Sequence, residues 1–217
     1  MAGRVGAAML PEPPTTQELA RLGIRPDEYA SVGTGMRVWR VHRTTGERVT
    51  AWNRFRTFGP VLRFDHHPLP PETHSAYGVW YGACDATSAL AEAFQTTRVI
   101  DRHLGDPRLT CLQLAPVLLD VSGEHGLWPT RAGGNFALNM APHPQTQAWA
   151  RAISQTFTQI DGLMYTSRWG GGKCIVLWQR RDRELFPPAA EYSWHLADTR
   201  LTSRIAAAAH RIGYDII

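Results

Sequence analysis

Cysteine is scarce in this 217-residue chain: Cys84, Cys111 and Cys174 are an odd number, and none forms a Cys-x-x-Cys pair. A disulfide framework or thiolate metal ribbon is thereby excluded. Each cysteine sits in or beside an apolar, strand-like run, which reads as a buried free thiol in a reducing, cytoplasmic setting. Long apolar runs are missing too. No stretch of 18 apolar residues occurs, and MAGRVGAAML has one basic residue and a short apolar run soon broken by PEPP, so neither a membrane span nor a secretory leader is expected. No internal repeat or heptad pattern appears. Blocks of like charge are also absent. The 23 basic and 19 acidic residues (net +4, pI near 9.2) are scattered, which suits a phosphate-bearing partner but does not build a concentrated nucleic-acid footprint.

What is present is a foldable core. Hydrophobic residues make up 43% of the chain and eight are tryptophan, enough for one domain of this length rather than a disordered polymer. Residues 1–14 read as a flexible arm ending in Pro11-Glu12-Pro13-Pro14, and 15–217 as a single domain. Thr15 to Glu18 fits a capping box for a short helix ending at Gly23, and Pro26-Asp27-Glu28 can start another turn. Met36–His42 alternates like a half-buried strand, with Met36, Val38 and Val41 facing one way and Arg37 and Arg40 as polar interruptions.

Asn53–Pro60 is a basic, aromatic loop, Val61–Phe64 a short strand, and His66–Ser75 a Pro-rich, mobile surface loop. Gly78–Tyr81 is strand-like. Asp85 is a good N-cap for a helix to about Thr96, with Ala86, Ala89, Leu90 and Ala93 as its apolar stripe. Strands are expected within Leu109–Leu119, at Leu163–Tyr165 and at Cys174–Gln179, the last two flanking a flexible glycine hairpin. Helices are expected over Gln145–Phe157 and Leu201–Arg211. Strands and helices mix without regular βα alternation, which predicts an α+β fold: a mainly antiparallel central sheet with flanking helices.

Several familiar motifs fail on spacing. Gly170-Gly171-Gly172-Lys173 lacks the phosphate-loop pattern, with Cys174 in place of the hydroxyl and no helix after it. His66, His67 and His74 lack helical ligand spacing and a carboxylate motif, so no metal is expected. Nothing marks Cys84 as a nucleophile. Asn53–Phe58 interleaves arginines and aromatics as single-strand binders do, but the run is short.

Four polar residues remain, at strand ends and on one helix. Taken singly, Arg63 reads as a strand-edge ion-pair partner, Tyr81 as a core residue, Glu92 as a solvated helix residue and Ser167 as a loop residue. Taken together, Arg63-Phe64, Tyr81 followed by Ala89-Leu90-Ala91-Glu92, and Asp161–Ser167 before the strand Cys174-Ile175-Val176-Leu177 resemble the RES family, toxins of bacterial toxin–antitoxin pairs. The resemblance runs from about Arg37 to Gln179, with Leu62 where the family usually has glycine.

The resemblance implies an ADP-ribosyltransferase-like α+β fold. It implies NAD+ as substrate, cleaved at the nicotinamide–ribose bond by phosphorolysis or hydrolysis, with inorganic phosphate as a co-substrate in the first case and no metal in either. Transfer of ADP-ribose to a protein is the alternative, and a non-enzymatic nucleic-acid or protein-binding module the second. The implied partner is an Xre-like antitoxin covering the site; neither a membrane nor direct nucleic-acid binding is expected. Arg63 grips the pyrophosphate in this reading, with Arg40, or Arg54 and Arg56, as further or alternative phosphate ligands. Tyr81 packs on the nicotinamide ribose. Glu92 stabilises the oxocarbenium-like transition state and orients the acceptor, and Ser167 bonds the ribose or the amide.

Overall fold

In the computed structural model, which describes residues 10–30, 35–47 and 49–217, α1 (Thr16–Leu22) is followed by β1 (Tyr29–Ala30), β2 (Met36–Arg43), β3 (Phe58–Gly59), β4 (Glu72–Thr73) and β5 (Val79–Ala83). The chain continues through α2 (Ala86–Phe94), β6 (Val99–Ile100), β7 (Pro107–Leu114), β8 (Leu118–Asp120), α3 (Trp128–Arg131) and α4 (His143–Thr156). It ends with β9 (Gly162–Thr166), β10 (Lys173–Trp178), β11 (Tyr192–His195), α5 (Thr202–Ile212) and β12 (Asp215–Ile216). Eight strands form the main sheet in the order β1-β8-β9-β10-β5-β2-β7-β11. Every adjacent pair is antiparallel except β8 with β9, so the expected α+β architecture is the one observed.

The period of two along each strand feeds two cores, because successive side chains point to opposite faces. On β10, Cys174, Val176 and Trp178 enter one cluster, while Ile175 and Leu177 enter the other. The first cluster is covered by helices: Leu19 of α1, Trp149 and Ile153 of α4, and Ile205 and Ala208 of α5. The second is covered by connecting segments that bring Trp52, Phe55, Leu185 and Phe186 against Trp80 and Leu112. Both faces are therefore covered, and a large opening lies where two strands part.

They part between β2 and β5. β2 pairs with β7 along its whole length, from Met36↔Leu114 to Arg43↔Pro107, but meets β5 only at Trp39↔Ala83. Beyond that point the free edge of β5 is taken up by Arg56, whose backbone bridges Val79 in both directions at 2.8 and 2.9 Å.

Five expectations change. Val41 does not share the face of Met36 and Val38: it packs on the first cluster and they on the second, because residues three apart on a strand point to opposite faces. Residues 1–9 of the expected arm lie outside the described residues, while the described part is docked: Leu10 is buried and the Pro11 carbonyl accepts from Trp149 Nε1 at 2.8 Å. Val61–Phe64 is a turn, not a strand, because the Asp65 carboxylate accepts the Val61 and Leu62 amides at 2.6 and 2.9 Å. The stripe of α2 is rotated: Ala89, Leu90, Ala91 and Phe94 are buried and Ala93 is exposed. His66 and His67 are buried, not on a surface loop; His66 stacks on Trp178 and bonds Ser154 Oγ at 2.7 Å.

Candidate active site

A cavity of about 500 Å³ opens at the split between β2 and β5, in the size range of small-molecule sites. Arg40, Arg56, Arg63, Tyr81 and Glu92 all line it, joined by Arg168 and Trp169. Ser167 lies just behind it. Arg54 is exposed and outside the lining, because its neighbour Phe55 turns into the core against Phe186, so the proposed phosphate role of Arg54 is not supported by its position.

Glu92 is carried by α2, and α2 is set by its first turn. Asp85 caps it, accepting from the Ser88 amide and hydroxyl at 2.7 Å each. The β9–β10 connection then lies directly on that turn. A side chain at Gly170 or Gly172 would collide with Ser88, so the glycine run expected to form a flexible hairpin is a close-packed contact. This contact brings the β9 end to the middle of α2, where Ser167 Oγ donates to Glu92 Oε1 at 2.6 Å. Ser167 is almost fully buried, and its oxygen also accepts the Trp169 and Gly170 amides at 3.2 and 3.0 Å. Its hydroxyl is thus committed to the protein and orients the carboxylate.

The second Glu92 oxygen has only a long contact, 3.4 Å from Gln95 Nε2. Burial pushes the Glu92 carboxyl above its ordinary value; the Ser167 bond and the Arg63 and Arg168 cations oppose that shift without cancelling it.

The arginines differ in partnering. Arg56 Nη2 reaches both Asp65 oxygens at 2.8 Å. Arg63 gives Nη1 to the Ala141 carbonyl at 2.7 Å, and burial, followed by the nearby Arg168, lowers its pKa. Arg40 lies over the Trp80 ring, 5.1 Å from its centroid, and its Nη1 is sealed from water with no hydrogen-bond partner among the described residues. Although the residue as a whole keeps some solvent contact, its guanidinium is pushed down to about 10, by burial first and by Arg56 second, and so stays charged at neutral pH. A cation of this kind is available to an anionic group entering the cavity.

Tyr81 points its hydroxyl away from titration. The oxygen donates to Asp65 Oδ1 at 2.8 Å and accepts the Phe64 amide at 3.1 Å; burial and Asp65 hold its phenol well above the usual range. The Arg63 turn is pinned from the other side by α4: Thr146 Oγ1 donates to the Arg63 carbonyl at 2.6 Å and Gln147 Nε2 to that of Leu62 at 3.0 Å. Asp65, Arg168 and Trp169 were missed as site residues by sequence reasoning, although Asp65 stands inside the VLRFD motif and Arg168-Trp169 directly follow Ser167.

Among the described residues, no group of three or more His, Cys, Asp or Glu side chains is arranged to hold a metal ion, and no helix is long and apolar enough to cross a membrane.

The comparisons with known proteins follow this geometry. The family described as the RES domain matches residues 37–197. No curated protein matches the sequence significantly. Among solved structures, a chain of the M. tuberculosis MbcT–MbcA toxin–antitoxin complex is similar with a TM-score of 0.52 at 15% identity, over 81% of this chain and 91% of that one. At that identity the likeness concerns the fold.

Proposed function

We propose, from the premise that the chain belongs to the RES domain family, that it is the toxin of a toxin–antitoxin pair and acts by cleaving the nicotinamide–ribose bond of NAD+. The observation that carries this reading is one cleft lined both by Arg40, whose buried Nη1 has no partner among the described residues, and by Glu92, an under-partnered carboxylate. NAD+ carries the complementary charges: an anionic pyrophosphate for the arginines and a cationic pyridinium-ribose for the carboxylate.

In the proposed complex Arg40 and Arg63 hold the pyrophosphate, and Arg168 adds a third cation at the cleft wall. The Tyr81 ring packs on the nicotinamide ribose. The C1′–N bond breaks with its electron pair going to the pyridinium nitrogen, so nicotinamide leaves neutral and no acid or metal has to assist it. Positive charge builds on the ribose facing Glu92, whose free oxygen stabilises it and orients the acceptor. An oxygen of phosphate or water forms the new bond to C1′; with water, one proton is released. Ser167 serves through Glu92, so its proposed contact with the substrate is replaced by a contact with the carboxylate. An antitoxin of the Xre-like kind silences the site by covering the cleft mouth.

The test is NAD+ loss by the purified protein, with and without phosphate, followed by product analysis. Loss that requires phosphate and yields ADP-ribose 1-phosphate establishes phosphorolysis, and loss without phosphate that yields ADP-ribose establishes hydrolysis. No loss by folded protein under either condition rejects NAD+ degradation and moves the weight to ADP-ribose transfer onto a protein.

A further inference from the structure

We infer that Asp65 is the positioning residue of the cleft: it ties Arg56, the turn that carries Arg63, and the Tyr81 ring into one arrangement, and it holds the Tyr81 hydroxyl out of the chemistry. The inference rests on the NAD+ reading of this cleft. Asp65 is fully buried, and a buried carboxylate persists only where donors surround it. Its Oδ2 takes the Val61 and Leu62 amides, its Oδ1 takes the Tyr81 hydroxyl, and both oxygens take Arg56 Nη2.

These donors come from three separate segments. The Arg56 backbone caps the free edge of β5, the Val61–Phe64 turn aims Arg63, and Tyr81 lies on β5 itself. One carboxylate therefore fixes the relative position of three cleft-lining side chains. It also divides the arginines by role. Arg56 is neutralised by Asp65 and serves the fold, while Arg40 and Arg63 have no carboxylate partner among the described residues and remain for the ligand.

The loop closes through Phe64, whose amide donates back to Tyr81 Oη at 3.1 Å. With its proton given to Asp65 and a lone pair taken by Phe64, the Tyr81 hydroxyl is a tie between β5 and the turn. What it offers the substrate is its ring. In Asp65→Asn one of the donors must meet the new amide NH2, which breaks the tie while nearly keeping the shape.

The experiment is a double-mutant cycle with Asp65→Asn and Tyr81→Phe. It is read as kcat and KM for NAD+ loss, and separately as ADP-ribose affinity by calorimetry, which needs no turnover. Each single change is expected to weaken ADP-ribose binding and kcat/KM about tenfold, and the double change to be no more than about twofold worse than the weaker single, since both cut the same link. Losses that multiply, or an Asp65→Asn protein with unchanged affinity and kcat/KM, overturn the inference.

If Asp65→Asn does not fold, Tyr81→Phe alone decides. A tie predicts a raised KM with the shape of the pH profile kept; disappearance of a limb of that profile makes the hydroxyl an acid or base and overturns it. A wild type that binds ADP-ribose without consuming NAD+ rejects the NAD+ reading and leaves the cycle to be settled by affinity. Binding of neither ligand overturns both.

Discussion

Asp65, sealed behind the cleft, and Glu92, half-buried in its wall, are two carboxylates that the fold treats in opposite ways. Asp65 is saturated by Arg56, two amides and a phenol, and Arg56 balances its charge. Glu92 has one short donor, Ser167, and one oxygen left with a 3.4 Å contact; burial there raises its pKa. The arginines mirror the pair, with Arg56 matched and Arg40 unmatched. The matched pair holds the cleft walls together, and the unmatched pair leaves one cation and one carboxylate oxygen for whatever enters the cleft.

The comparison can be broken by removing a member from either side. The largest effect is expected for Asp65→Ala, which leaves the Arg56 cation and two amides without their acceptor. Urea unfolding should show a loss of about 3–5 kcal/mol, the usual cost of removing one partner of a buried pair. Loss under about 1 kcal/mol would place Asp65 outside the structural role.

Arg40→Met should do the reverse. Folding stability is kept or raised, because an unpaired buried cation is removed, while KM for NAD+ rises by about tenfold to a hundredfold, the worth of a hydrogen bond to a charged group. An unchanged KM would remove Arg40 from the ligand site.

Ser167→Ala sharpens the Glu92 side. The hydroxyl bond lowers the Glu92 pKa against the raising effect of burial, so its loss moves the carboxylate further upward. The acid limb of kcat/KM should therefore shift to higher pH, with about a tenfold loss at neutral pH. A limb that stays in place would separate Ser167 from Glu92. The smallest effect is expected for the exposed Arg54→Ala, within about 0.5 kcal/mol in stability and unchanged in KM. A clear rise in KM would return Arg54 to the phosphate site.

Much of this was legible in the sequence where causes are local. The capping box of Thr15 with Glu18 and the cap of Asp85 on α2 depend on residues three apart, and both form. That Met36–His42 forms a strand was readable, as was the mixed order of strands and helices, but the facing of Val41 was not: it packs opposite to Met36 and Val38. Of the residues the family resemblance named, Arg63, Tyr81 and Glu92 share the cavity with Arg40 and Arg56, while Ser167 and Arg54 do not line it. What escaped depends on distant partners. Asp65 lies in a quoted motif, yet its meaning comes from residues 56, 61, 62 and 81 converging on it. Val61–Phe64 is a short apolar run that periodicity cannot assign, and the side chain after it decides for a turn. His66 and His67 sit among prolines, which reads as surface until Trp178 and Tyr77 are seen to cover His66. Ser167 was assigned to the substrate because no local signal shows that the β9–β10 glycines press it toward α2.

The most direct test of the claim that Glu92 is left unsatisfied for catalysis is Glu92→Gln, with NAD+ loss and thermal unfolding measured on the same preparation. Glu92 has a folded pKa above its unfolded value, so its stabilising, protonated form is fully present below the unfolded pKa and is lost as pH rises through the folded one. Above the folded pKa the ionised group therefore costs stability that Glu92→Gln avoids. The account predicts NAD+ cleavage lowered by about 10² to 10³ with the melting temperature kept or raised. Cleavage at the wild-type rate, or a melting temperature that falls as steeply as for Asp65→Ala, would contradict it.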